Sequence, residues 1–182
     1  MIRLFVGLEL PEDIKEHIYT LRGGVPNAHW IKKENLHLDL RFIGEVEEPM
    51  AADIHASLSR IRAPAFGLAF TEIGIFSTGN DPRDLWTGVS NYTELDILRN
   101  KIDKAVSFCG VPPDRHKFHA HVRIAKLKGT SMVDAQEYIA HNNLFHTKDY
   151  TVEYFTLFST HHHQNGEGAF YQVEARYALS LI

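Results

Sequence analysis

The chain has 182 residues, 44% hydrophobic and 23% charged, enough to bury a core and ordinary for a globular protein. A net charge of −4 with histidine neutral excludes a broad basic surface for gripping long nucleic acid, but not a few local cations at a nucleic-acid end. The single cysteine, Cys109, excludes an internal disulfide framework and, in a helical pattern, reads as a structural thiol.

The opening MIRLFVGLELPED is too short and too soon acidic for a secretory signal. No apolar run reaches membrane-spanning length, so no membrane association and a cytoplasmic location are expected. Residues 2–10 predict a buried strand. Pro11, followed by Glu12 and Asp13, opens a helix with Ile14, Ile18 and Leu21 on its apolar face, ended by Gly23-Gly24. Residues 28–32 form a short strand leading into a longer one at 35–44. A second helix spans 48–61, with Ile54, Leu58 and Ile61 at helical spacing, and Pro64 breaks it. Residues 66–77 predict a long strand, with Gly67 and Gly74 marking a bend or bulge. Turn chemistry makes 78–84 a loop, and 85–89 another strand. Residues 92–109 carry the stripe Leu95, Leu98, Ile102, Ala105 and Val106 of a third helix, stopped by Gly110. A proline-containing loop at 111–117 delivers the chain to a strand at 118–128. A short helix at 131–141, a strand at 151–160, a polar loop at 161–168 and a strand at 169–180 close the chain.

The order β-α-β-β-α-β-β-α-β-α-β-β places strands in adjacent pairs, which predicts antiparallel sheet with helices outside. Two segments share a format. In NLHLDLRFIG (35–44), Leu38, Leu40 and Phe42 fall on one face and His37, Asp39 and Arg41 on the other. In FHAHVRIAKLK (118–128), Val122 and Ile124 oppose His119, His121, Arg123 and Ala125. The expected architecture is α+β, a single domain over 1–182 with two pseudo-symmetric lobes of antiparallel sheet and outer helices around a central cleft.

The segment ENLHLDLRFIGEV resembles the first signature of the two-histidine (2H) phosphoesterases, commonly N-L-H-x-T-L-R-F-[LI]-G. More specifically it is similar to the bacterial RNA 2′,3′-cyclic phosphodiesterases, historically called 2′-5′ RNA ligases. KFHAHVRIAKLK resembles the second signature, commonly F-x-P-H-[VL]-T-L-A-[RK]. The flanks MIRLFVGLELPEDIKEHI, HWIKKENLH, DLWTGVS and YQVEARYALS match as well, so the resemblance covers nearly the whole chain. It implies that His37 and His121 are a catalytic pair, one taking a proton from attacking water and the other supplying the leaving oxygen. Histidine suits both tasks because it titrates near neutrality. The resemblance implies no metal and no cofactor, and its substrates are RNA ends or small cyclic nucleotides with a 2′,3′-cyclic phosphate, opened to a 2′-phosphate. Reverse ligation is the same chemistry backwards. A monomer is expected, and which histidine is acid and which is base stays open.

Two departures stand out. The family's threonine two residues after each histidine is here Asp39 and Arg123, and Ala120 replaces the proline before His121. An ionised Asp39 beside a phosphodiester is repulsive, by about 4 kcal/mol at about 4 Å and an effective dielectric near 20. Arg123 has the attractive sign and can bind phosphate bidentately. The complementary charges predict that Asp39 and Arg123 pair across the cleft. The alternative function is a catalytically impaired 2H-fold protein that binds nucleotides or RNA ends. Arg41 is a phosphate-contact candidate against a strand-end salt bridge. Lys126 matches the family's basic position with parity opposite to His121. Phe42 has core parity, and Trp30, Phe76 and Trp86 are candidate stacking surfaces, with packing favoured for Trp86. His161, His162 and His163 cannot all reach one metal from a strand, where neighbours alternate faces, so an exposed loop is favoured for them. His119 is likewise read as solvent-exposed.

Overall fold

The computed structural model describes residues 1–181. The alternating first segment forms β1 (Ile2–Glu9). Pro11 caps α1 (Glu12–Tyr19), whose Ile14 and Ile18 are buried. Then come β2 (Ala28–Trp30), a 3-10 turn at Lys33–Asn35, β3 (His37–Val46) and α2 (Glu48–Leu58). The middle of the chain builds β4 (Phe66–Leu68), β5 (Phe70–Thr78), β6 (Asp81–Val89) and α3 (Thr93–Phe108). The last part builds β7 (Val122–Leu127), α4 (Met132–His141), β8 (Tyr150–Val152), β9 (Tyr154–His162) and β10 (Ala169–Ala178). Ser131 caps α4 by accepting the Asp134 amide at 3.1 Å. Among the described residues, no helix is long and apolar enough to cross a membrane.

The main sheet is antiparallel, in the order β10-β9-β1-β3-β7-β6-β5, with β2 also paired to β7. β3 touches β7 through the register pair Leu38–Val122 alone, and β2 occupies β7 farther on, from Ala125 to Leu127. The sheet is thus two halves, β10-β9-β1-β3 and β2-β7-β6-β5, joined at one point. His37 opens β3 and His121 immediately precedes β7, so both stand at the junction.

Helices cover each half. α2 and α3 pack together, with Ser57 Oγ donating to the Ala105 carbonyl at 3.0 Å. The His55 ring meets the Tyr177 hydroxyl of β10 at 2.8 Å, fixing α2 on the first half. α4 lies against β5 and β6, and the Tyr138 hydroxyl donates to the Leu21 carbonyl just beyond α1. This is the expected α+β architecture.

Two long predicted strands are each cut in two. The segment 66–77 breaks at Ala69, whose amide donates to Ser90 Oγ at 3.0 Å and whose carbonyl accepts from the Ser90 amide at 2.9 Å. The segment 151–160 breaks at Glu153, whose carbonyl accepts from the Leu179 amide at 2.7 Å. The detached pieces, β4 and β8, pair with each other as a separate two-stranded sheet. The expected loop at 78–84 is a tight hairpin instead, paired to Thr78–Asp81 with Gly79 at a φ of 60° in the turn. His161 and His162 lie in β9 rather than in a loop. The helix expected over 48–61 ends at Leu58.

Two β-bulges matter most. On β3, Gly7 opposes Asp39 and Val6 opposes Arg41, which leaves Leu40 as the extra residue. On β7, Trp86 opposes Arg123 and Leu85 opposes Ala125, which leaves Ile124 as the extra residue. Each bulge lies three residues after a motif histidine, and each reverses the side-chain alternation beyond it.

Candidate active site

The 3-10 turn before β3 aims the Asn35 carbonyl back at its neighbour. His37 Nδ1 lies 2.6 Å from that carbonyl oxygen, and Asn35 Nδ2 donates to the Ala169 carbonyl of β10 at 3.0 Å. His121 Nδ1 lies 2.6 Å from the His119 carbonyl oxygen. A carbonyl only accepts, so in both rings Nδ1 carries a proton and Nε2 is left for other work. Both rings line one cavity of about 100 Å³, together with Ile31, Asn35, Asp39, Arg123 and Tyr171.

Aromatic walls hold the rings. His37 sits 4.7 Å from Tyr171 and 5.1 Å from Phe5, centroid to centroid. His121 stands perpendicular to Phe76 at 4.9 Å, with Trp86 at 6.1 Å. Trp86 lies across β5 over Gly74, where a Cβ would come within 2.3 Å of the indole. That close approach is the physical reason for a glycine there.

The expected cross-cleft pair does not form. Asp39 Oδ1 is 2.8 Å from His37 Nε2, on its own strand. Arg123 Nε is 3.1 Å from Asp84 Oδ1, on the neighbouring strand. Each charge finds a partner in its own half, because β3 and β7 share almost no ladder.

The groups differ in their titration. Burial pushes the His121 imidazole below its ordinary value, helped by His119 and Arg123 and opposed by the His119 carbonyl and Asp39. Enclosure in the cleft works against Asp39 ionising. Its side chain is still 62% exposed, and the His37 hydrogen bond with the charges of His37, His121 and Arg123 brings its carboxyl below the ordinary value. Burial first, then Asp39, raises the Tyr171 phenol.

With Asp39 ionised, both nitrogens of His37 face acceptors. The downward shift of His121 favours its neutral form, in which Nε2 carries the lone pair.

Arg41 is not in the cavity. The bulge at Leu40 turns it inward, where it is 4% exposed and bonds Asp103 through Nε at 2.6 Å. Its other nitrogens donate to the Phe42 carbonyl at 2.5 Å and the Pro112 carbonyl at 2.6 Å. The phosphate-contact expectation for Arg41 is corrected in favour of the buried salt bridge. Phe42 is reversed too, and stands 52% exposed. The bulge at Ile124 brings Lys126 to the face of Arg123, opposite Asp84, although it does not line the cavity. Trp30 packs toward Tyr138, away from the histidines.

His119 is exposed but belongs to the wall, 4.6 Å from Trp86. In the histidine run, His161 Nε2 meets Ser159 Oγ at 2.8 Å and His162 faces the cleft beside Thr160, so neighbours do alternate. Among the described residues, no group of three or more His, Cys, Asp or Glu side chains is placed to hold a metal. Sequence reasoning missed Tyr171 and Asp84. The alternation of 169–180 marked Tyr171 as an aromatic on one strand face, but nothing marked that face as the cleft. Asp84 was hidden in an expected loop.

Residues 8–86 match the family described as LigT like Phosphoesterase. The RNA 2′,3′-cyclic phosphodiesterase of Aeropyrum pernix is 37% identical over 113 residues, which cover 62% of this chain and 64% of that protein. The protein of the same name from Archaeoglobus fulgidus is 32% identical over 130 residues, covering 70% of this chain and 73% of that one. The crystal structure of Escherichia coli LigT complexed with 3′-AMP superimposes with a TM-score of 0.80 at 24% identity, covering 98% of both chains. At that identity the likeness speaks for the fold, and the relatives' sequences carry the kinship. The chain belongs to the LigT-like two-histidine phosphoesterase family.

Proposed function

We propose that this protein hydrolyses the 2′,3′-cyclic phosphate ends of RNA, or small cyclic nucleotides, to 2′-phosphates. The observation that carries the reading is the pair of imidazoles in one cavity, each anchored through Nδ1 at 2.6 Å to a carbonyl two residues upstream. The relatives' shared name, RNA 2′,3′-cyclic phosphodiesterase, supports the substrate class. Both histidines come from one chain, so a monomer suffices and the two halves act as one functional domain. RNA ends of this kind fit a cytoplasmic protein.

In this reading, neutral His121 is the base. Its Nε2 takes a proton from water as the oxygen attacks phosphorus. His37 is the acid, and gives its Nε2 proton to the 3′ oxygen as the P–O3′ bond breaks, leaving a 2′-phosphate and a free 3′-hydroxyl. Arg123, held by Asp84, faces the phosphate as the cationic anchor, with Lys126 farther along the same face. A 5′-hydroxyl in place of water, attacking phosphorus in the same sense while the P–O3′ bond breaks and the 3′ oxygen takes the proton, gives a 2′-5′ linkage.

One observation favours a second reading, a binding protein of low turnover. The Asp39 carboxylate already occupies His37 Nε2 at 2.8 Å, so an anionic substrate must displace it. The deciding experiment incubates the protein with a 2′,3′-cyclic mononucleotide, with His37→Ala and His121→Ala as controls. Turnover to the 2′-phosphate, reduced at least about a hundredfold in each control, is expected. Binding without turnover establishes the second reading instead.

A further inference from the structure

A second cavity, of about 280 Å³, continues from the first along the β1–β9 half of the cleft. The two share His37, Asp39, Arg123 and Tyr171. The second runs out to Arg3, Phe42 and His162. Phe42 is an unusual residue to leave open on a strand, at 52% exposed, and the Arg3 guanidinium lies 5.4 Å from its ring centroid. Arg3 forms no ion pair among the described residues, although Glu45 opposes it in the β1–β3 register.

We propose that this cavity binds the nucleotide preceding the one that carries the cyclic phosphate, with its base stacked on Phe42 and its backbone phosphate beside Arg3. The proposal rests on the phosphodiesterase reading and deepens it: the preferred substrate is an RNA end of at least two nucleotides.

Distance selects that occupant. A strand rises about 3.3 Å per residue, and from His37 to Phe42 the paired strand β1 runs four residues, from Glu9 to Phe5, which places Phe42 roughly 13 Å along the sheet from His37. A single nucleotide whose cyclic phosphate lies between the histidines does not span that length, and its neighbour does. Chemistry selects the same class. An open aromatic face suits any base, because every base has a π-face, and a neighbouring arginine adds a cation for the phosphate. The bulge at Leu40 creates the platform, since with strict alternation Phe42 would point into the core. His162 and the Thr160 hydroxyl on β9 supply polar contacts on the opposite side.

The test compares a 2′,3′-cyclic mononucleotide with a dinucleotide ending in the same cyclic phosphate, by turnover and by equilibrium binding of the corresponding 2′-phosphate products. The dinucleotide is expected to have the higher kcat/KM and to bind more tightly, by about tenfold or more. Phe42→Ala should remove most of that ratio. Arg3→Gln should lower it and flatten its salt dependence. Phe108→Ala, at an exposed aromatic that lines neither cavity, should leave the ratio alone. Equal kcat/KM and equal binding for the two lengths overturn the proposal, as does a ratio that survives both Phe42→Ala and Arg3→Gln. If neither substrate turns over but the dinucleotide product binds more tightly in a Phe42-dependent way, the subsite stands and the hydrolase reading falls.

Discussion

Asp39 and Arg123 occupy equivalent positions, two residues after His37 and His121, and they pull on the reaction in opposite directions. In the proposed reaction Arg123 attracts the phosphate, and its loss should raise KM by about ten- to a hundredfold, since a hydrogen bond to a charged group contributes about 1.5–3 kcal/mol. Steady-state kinetics of Arg123→Ala checks this, and an unchanged KM removes Arg123 from the site. Asp39 repels the same anion and competes for His37 Nε2. Asp39→Thr is therefore expected to raise kcat/KM about tenfold, mainly through KM; a fall would mean that Asp39 assists the acid. The pH profile follows from His121. Its imidazole titrates below the ordinary 6.5, so as the proposed base it stays free to lower pH than an unperturbed histidine would allow. The acid limb of kcat/KM should have its midpoint below 6.5, and a midpoint at or above that value rejects His121 as the base. Stability follows the same sign logic. The Asp39 carboxyl is lowered from 3.8, so its contribution is present above that pH and is lost as pH falls through the folded-state value.

At the scale of the element, the sequence was legible wherever a period held. Leu4, Val6 and Leu8, the helix faces of α1 and α3, the strand that His37 opens and the Val122–Leu127 part of the strand expected over 118–128 could all be read from spacing, because burial decides those positions, whereas 118–121, with His121, lie outside the ladder. Reading failed at single-residue interruptions. Alternation assigned Arg41 to the cleft, Phe42 to the core and Lys126 to the far face, and the bulges at Leu40 and Ile124 reverse all three. A bulge costs one unpaired residue and leaves no compositional mark, so period-2 reasoning carries straight through it. The Asp39–Arg123 pairing failed for a different reason: charge complementarity states who attracts whom, while strand pairing decides who is near. The sequence predicts a bend or bulge at Gly74, and its structural role is steric. Gly74→Ala would drive a Cβ into the Trp86 indole at 2.3 Å, so the ring must move, and with it the wall behind His121. The expected outcome is a loss of about 1–3 kcal/mol in chemical denaturation together with reduced kcat, and a variant of unchanged stability and activity contradicts that account.

Across the whole molecule, two halves that share one register pair need another connection to hold their histidines at a fixed separation, and Arg41 supplies it. It leaves β3 on the inner side of the bulge, bonds Asp103 on α3 at 2.6 Å, and reaches the Pro112 carbonyl at 2.6 Å. Residue 112 begins the segment that carries His119 and His121 to β7, and residues 112–117 are exposed throughout. One guanidinium thus ties the His37 strand to the approach of His121. Arg41 is 4% exposed and Asp103 29% exposed, so removing the cation leaves a partly buried carboxylate and two carbonyls without their donor. Arg41→Ala is expected to cost about 3–5 kcal/mol, a large share of the roughly 5–15 kcal/mol that holds a typical domain folded. Arg41→Met with Asp103→Leu should recover much of that stability, because an apolar pair removes the uncompensated charge. It should not recover turnover in full, because the Pro112 carbonyl remains unpinned and the segment before His121 keeps its freedom. Denaturation and kinetics on the same two variants separate these effects. Stability and kcat returning together would make Arg41 a packing residue, and stability returning without kcat would make it the link that sets the distance between the two histidines.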